Sequence, residues 1–358
     1  MVSIENFGML SNGQQVKKYI IKNKKEEYVE LLDFGATIHS INVLDKKGNI
    51  GDVVLGINKA SDLEKNSFAG ITIGRCANRI EYGKCVIDGK EIQLERNLFG
   101  KHFLHGASGN YGFRHFEGKI NEEENSVSFY LQDKGEGGFN CNVDAEITFK
   151  FDNDSNLKIS YKMIPYGTTI LCPTNHTYFN LNGGDVRKLK LQINSYKIVN
   201  RKEEGLVTSG THSVIGTPAD FTKMRTIMEA MDSDDGTYFE RTPKRFDEVY
   251  VLPKNVNKKV LYHRCTVWQK ERFILYDDIT GREVDVYTDA EALIIFNGIA
   301  ENDSPQKNNI IYKGYCGFCM ETQFVPNAIN CKGFSLPVFR KGEQLISETI
   351  YSFKVIRD

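Results

Sequence analysis

Apolar and polar residues alternate with a period of two along much of this chain, the signature of strands that bury one face. Ile147, Phe149 and Phe151 alternate with Thr148 and Lys150; beyond the turn-forming residues 152–156, Leu157, Ile159, Tyr161 and Met163 alternate with Lys158, Ser160 and Lys162. Together the two runs predict an antiparallel hairpin. Similar alternation marks residues 127–131, 189–193 and 283–287, and turn-forming pairs such as Asp88-Gly89, Asn182-Gly183 and Lys341-Gly342 punctuate the chain. Helical periodicity is confined to residues 223–231, and no repeat, linker or low-complexity tract interrupts the pattern. Many short strands with almost no helix predict an all-β fold: a large antiparallel β-sandwich in which residues 1–358 form a single domain.

Length alone does not decide the domain count, because large all-β folds commonly exceed the soft value of about 150 residues per domain. With 46 basic and 47 acidic residues the formal net charge is -1, which provides neither a nucleic-acid surface nor a basic face for membranes. No apolar run approaches the ~18 residues of a spanning helix, and residues 1–7 lack the basic and apolar regions of a secretion signal. The eight cysteines, scattered through apparent strand segments, therefore read as reduced thiols of a cytoplasmic protein. Cys316 and Cys319 form the one CxxC, but no second pair or spaced histidines complete a four-ligand site, so both read as apolar packing residues at the start of a strand.

Four segments concentrate groups able to work on hydroxyls. Residues 74–80 (GRCANRI) set two arginines and an asparagine in an apolar stretch. His102 and His105 lie three apart. In residues 173–180, polar residues alternate with rings ahead of a Gly-Gly turn. Glu321 stands inside the apolar run 318–325. An ionisable group in such a run costs several kcal/mol unless it is paired or used. Nucleotide-binding, zinc-protease and esterase motifs are lacking. From the residues alone the chain is a β-sandwich with a His/Glu/Arg/Asn site suited to a neutral polyol.

Taken together and in order, these segments resemble the aldose 1-epimerase family. The similar blocks are FGATI (residues 34–38), GDVVLG (51–56), GRCANRI (74–80), LHG (104–106), NHTYFNLNG (175–183), GTPADF (216–221), Phe246-Asp247, ETQFVPNAIN (321–330) and the closing region 334–343. The resemblance runs from about residue 4 to the C-terminus. It implies a mutarotase that interconverts the α and β anomers of a free monosaccharide by opening and closing its ring, as a monomer or homodimer. It also implies that no metal or other cofactor takes part. By motif, Glu321 is the base at the C1 hydroxyl and His176 the acid at the ring oxygen, with His105 assisting; Asn78, Arg79 and Asp247 orient the sugar. Activity across neutral pH would then require a nearby carboxylate to keep the His176 imidazolium charged.

Three positions depart from the family pattern. Ile294 stands where many relatives carry a glutamine that touches sugar hydroxyls, Asn140 replaces a usual proline, and Ala107 replaces the second glycine of LHGG. Ile294 either faces the sugar, shifting preference toward a pentose or deoxy sugar, or points into the core. The alternatives are an epimerase of a phosphorylated or non-galactose sugar, which for a phosphate would need an added cluster of basic residues, and a non-catalytic sugar-binding protein of the same fold. A glycosidase would instead use two carboxylates.

Overall fold

The computed structural model describes residues 1–65, 68–239, 244–253, 273–298, 307 and 310–357. Cys265 lies outside these residues. The described chain is built from antiparallel strands and a few short helices. The hairpin expected from alternation is present as strands Val143–Phe151 and Asn156–Pro165, paired Ile147 to Tyr161, Phe149 to Ile159 and Phe151 to Leu157. Their apolar positions are buried and their lysines point outward, where Glu124 and Glu348 pair with Lys150 and Lys158.

This hairpin sits within a nine-stranded sheet ordered 117–121, 126–133, 143–151, 156–165, 345–355, 282–288, 273–276, 190–193 and 225–226. A six-stranded sheet is ordered 178–179, 318–323, 292–296, 247–251, 197–202 and 206–213. The two sheets face each other. Tyr351 donates its hydroxyl to the Met320 carbonyl, its ring packs on Phe179 at 5.0 Å, and Thr322 and Thr349 join their hydroxyls across the gap at 2.6 Å. A five-stranded N-terminal sheet, residues 2–52, joins the six-stranded one through a bridge between Val54 and Phe179. One apolar cluster contains residues from Val2 to Phe353.

The helix expected over residues 223–231 is shorter. It spans Ile227–Asp232, because the Thr226 side chain caps it in a box with Glu229, and Arg225–Thr226 is instead paired as a strand against Lys190 and Leu191. Among the described residues, no helix is long and apolar enough to cross a membrane.

Candidate active site

Strand Phe318–Gln323 has two faces. Met320 and Thr322 point toward the nine-stranded sheet, so Cys319, Glu321 and Gln323 project from the other side. That outer side is covered by short strands Thr72–Ile73, Arg79–Ile80, Phe103–Leu104 and Thr174–Asn175, which carry the polar segments. Thr174 ties this cover to the sheet by donating to the Thr322 carbonyl, and the His176 N–H donates to the Ile71 carbonyl.

Glu321 is 3 % exposed, and its Oε1 lies 3.5 Å from His176 Nε2. Gln323 Nε2 donates to the other carboxylate oxygen at 3.5 Å. Burial, reinforced by the negative charge of Asp247, pushes the Glu321 carboxyl up to about 8. Burial lowers His176 to about 4, and the attraction of Asp247 only partly opposes it. The expectation that a carboxylate keeps His176 charged is therefore wrong for the free protein: desolvation outweighs Asp247, and the single proton of the pair rests on Glu321 at neutral pH. The pair is then uncharged, the cheapest state for two groups removed from water.

His105 lies beside His176, ring centroids 5.7 Å apart, with Phe68 packed on both. Its Nδ1 accepts the backbone N–H of Asn78, so the neutral ring carries its proton on Nε2. Burial, helped by the positive charge of Arg79, holds it well below the usual histidine range. Three consecutive left-handed residues, His105 (φ 50°), Gly106 (φ 83°) and Ala107 (φ 50°), turn the chain here. Gly106 has no alternative, since a Cβ would lie 2.2 Å from the Gly74 carbonyl oxygen. His102, the other half of the histidine pair, does not join the site. It is buried, with Nδ1 accepting from the Tyr82 N–H and Nε2 2.7 Å from Glu204.

Asn78 (φ 62°) folds its side chain back so that Oδ1 accepts from both the N–H and the Nη1 of Arg79. Arg79 Nη2 meets Asp247 Oδ2 at 3.5 Å, and its buried Nε has no hydrogen-bond partner among the described residues. Alternation alone gives no reason to select Arg201, yet its Nη1 lies 3.8 Å from the same Asp247 oxygen and its Nη2 2.6 Å from Glu248. Each guanidinium is balanced by a carboxylate, so the two arginines do not form an anion site for a phosphate. Cys319 packs in an apolar cluster, as expected of it, but inside the strand, and its Sγ also lies 3.5 Å from His176 Nδ1; its CxxC partner Cys316 is half-buried and packs against the same cluster.

Ile294 pairs directly with Glu321 in the ladder, and therefore shares its face of the sheet. It is 1 % exposed, clustered with Val199, Val207, Val249, Ala292 and Val325. It lies on the Glu321 side of the sheet rather than between the sheets, and it is sealed in an apolar cluster there.

The chain matches the family model described as aldose 1-epimerase over residues 17–352. It belongs to the aldose 1-epimerase family. It is 29% identical to the aldose 1-epimerase of Escherichia coli (strain K12), covering 98% of both chains, and 28% identical to the galactose mutarotase of Homo sapiens, covering 98% of this chain and 97% of the other. The structure superimposes on an aldose epimerase homologue from C. elegans with a TM-score of 0.83 and 25% identity, covering 94% of this chain and 98% of that one. On galactose 1-epimerase from Lactobacillus acidophilus NCFM the TM-score is 0.81 at 24% identity, with 100% and 99% coverage. Like other members of the aldose 1-epimerase family the chain is an isomerase, with the antiparallel galactose-mutarotase fold.

Proposed function

We propose that this isomerase exchanges the α and β anomers of an uncharged free aldose, with Glu321 and His176 moving the protons. The observation that carries this reading is the 3.5 Å contact between His176 Nε2 and Glu321 Oε1, buried beside hydroxyl-binding groups. In the opening step the Glu321 carboxylate takes the proton of the C1 hydroxyl. The C1–ring-oxygen bond breaks, C1 becomes an aldehyde, and His176 delivers a proton to the departing oxygen. After rotation about C1–C2 the same steps run backward on the other face.

The proton count favours this division of labour. Before opening, the pair is carboxylate and imidazolium; afterwards it is carboxyl and imidazole. It holds one proton and no net charge throughout. Burial disfavours the ion pair that starts the opening step and favours the neutral pair that follows it. Desolvation therefore helps drive the proton from the sugar to Glu321 and from His176 to the ring oxygen. His105, through Nε2–H, serves as a neutral donor, and Asn78, Arg79 and Asp247 orient the hydroxyls. The balanced charges of Arg79, Arg201, Asp247 and Glu248 favour an uncharged sugar over a phosphorylated one. Ile294, paired with Glu321 in the ladder and buried with Val249, offers a hydroxyl no hydrogen bond, which suits a broad aldose profile, or one shifted toward a pentose or deoxy sugar.

The apolar cluster running from Val2 to Phe353 supports a single domain for residues 1–358. Free thiols at all seven described cysteines fit a reducing cytoplasm, with the protein acting there as a monomer or homodimer. Polarimetry of freshly dissolved α-galactose, α-glucose, xylose and arabinose, with chelator present, tests the function. Faster anomerisation of at least one sugar is expected, and no acceleration of any of them would refute it.

A further inference from the structure

The His176 imidazole has two polar edges, and strand Phe318–Gln323 grips both. Nε2 meets the Glu321 carboxyl, and Nδ1 meets Cys319 Sγ at 3.5 Å. Cys319 precedes Glu321 by two residues, so both side chains leave the same face of the strand and reach one ring. Cys319 is itself held in place. Tyr178 pairs with Cys319 across the ladder, and its ring lies 4.9 Å from that of His176.

The partner required at Nδ1 follows from the proton cycle. When His176 carries protons on both nitrogens, Nδ1–H needs an acceptor. Proton exchange runs through Nε2, which faces Glu321, so the neutral ring keeps its proton on Nδ1 and still needs an acceptor there. A carboxylate would accept it but would also hold the imidazolium as an ion pair, weakening it as an acid. A thiol sulfur accepts weakly and carries no charge. We propose that Cys319 is a positioning residue for the anomerisation proposed above: it keeps the His176 ring in one orientation in both protonation states, without stabilising the imidazolium enough to hinder proton delivery.

A purely packing role makes the opposite prediction, because Cys319 also belongs to an apolar cluster with Leu55, Tyr178 and Tyr312. If it only packs, valine should replace it better than serine. If it positions His176, serine, which also accepts and carries no charge, should work better than valine. The test measures kcat and KM for Cys319→Ser and Cys319→Val, alongside the ring-nitrogen NMR spectrum of histidine-labelled protein. We expect Cys319→Val to lose about tenfold in kcat, the lower end of the cost of removing a histidine's outer partner. KM should stay within about twofold, Cys319→Ser should recover most of the loss, and the Nδ1 resonance of His176 should move in the valine variant. A valine variant as active as the serine variant, or an unmoved Nδ1 resonance, overturns the proposal. If Cys319→Val does not fold, Cys319→Ala takes its place in the same comparison. If the unmutated protein anomerises no sugar, the functional reading fails, and the Nδ1 resonance still decides whether Cys319 holds the ring.

Discussion

The two faces of strand Phe318–Gln323 are equally dry and have opposite tasks. On the inner face Met320 packs into the space between the sheets and Thr322 bonds Thr349. On the outer face Cys319, Glu321 and Gln323 are just as buried, but they meet His176, Cys172 and one another over 3.5 to 3.8 Å. The inner contacts are short and complete within the protein. The outer contacts are long for hydrogen bonds, leaving capacity for hydroxyls supplied from outside. Burial by itself therefore does not separate a core from a site; the completeness of the polar contacts does.

The contrast should be widest for neighbouring substitutions. Glu321→Gln and His176→Asn are expected to lower kcat by about two orders of magnitude or more, with little change in the thermal unfolding midpoint. Met320→Ala should do the reverse, costing roughly 2–5 kcal/mol of stability while folded molecules keep their turnover. A Glu321→Gln enzyme with near-normal kcat would remove the distinction between the faces.

The pH profile sharpens the outer face. Below about 4 both His176 and Glu321 are protonated and no base remains; above about 8 both have lost their protons and no acid remains. Activity should be flat between those limits and fall outside them. Asp247 raises Glu321 and Arg79 lowers it, so Asp247→Asn should move the alkaline limb to lower pH and Arg79→Ala should move it to higher pH. Limbs that shift in the same direction would show that the alkaline edge does not belong to Glu321.

Ile294 tests where the polar patch ends. A glutamine there would place an amide in the cluster of Val199, Val249 and Ala292, costing about 1–3 kcal/mol if it stays unpaired. Ile294→Gln should therefore unfold at lower denaturant in the free protein and recover part of that loss when galactose is added. Loss of stability with no galactose-dependent recovery would make Ile294 purely a packing residue. The smallest effect is expected at Ala107, whose φ of 50° glycine tolerates better. Ala107→Gly should add about 1 kcal/mol of stability, read from chemical denaturation, and leave kcat unchanged.

Much of this molecule follows from local pattern. Period-two alternation with outward lysines forces the 143–165 hairpin, because shifting either strand by one residue would turn Phe149 and Ile159 into water. Glu321 stands out in the sequence for a related reason: a carboxyl in an apolar run must have a partner. Local pattern fails where the cause is distant. The helix start at Thr226 depends on ladder pairing with Lys190, which is remote in the chain. The faces of Ile294 and Cys319 depend on register with Glu321 and Tyr178, and period two does not say which face a doubly buried strand turns toward the site. Arg201 reaches Asp247 only because the 197–213 hairpin forms the far edge of the same sheet. The protonation of the pair was also decided by tertiary structure. Residue types supply the two groups that share a proton, but only the packing that removes both from water places that proton on Glu321 and leaves His176 neutral.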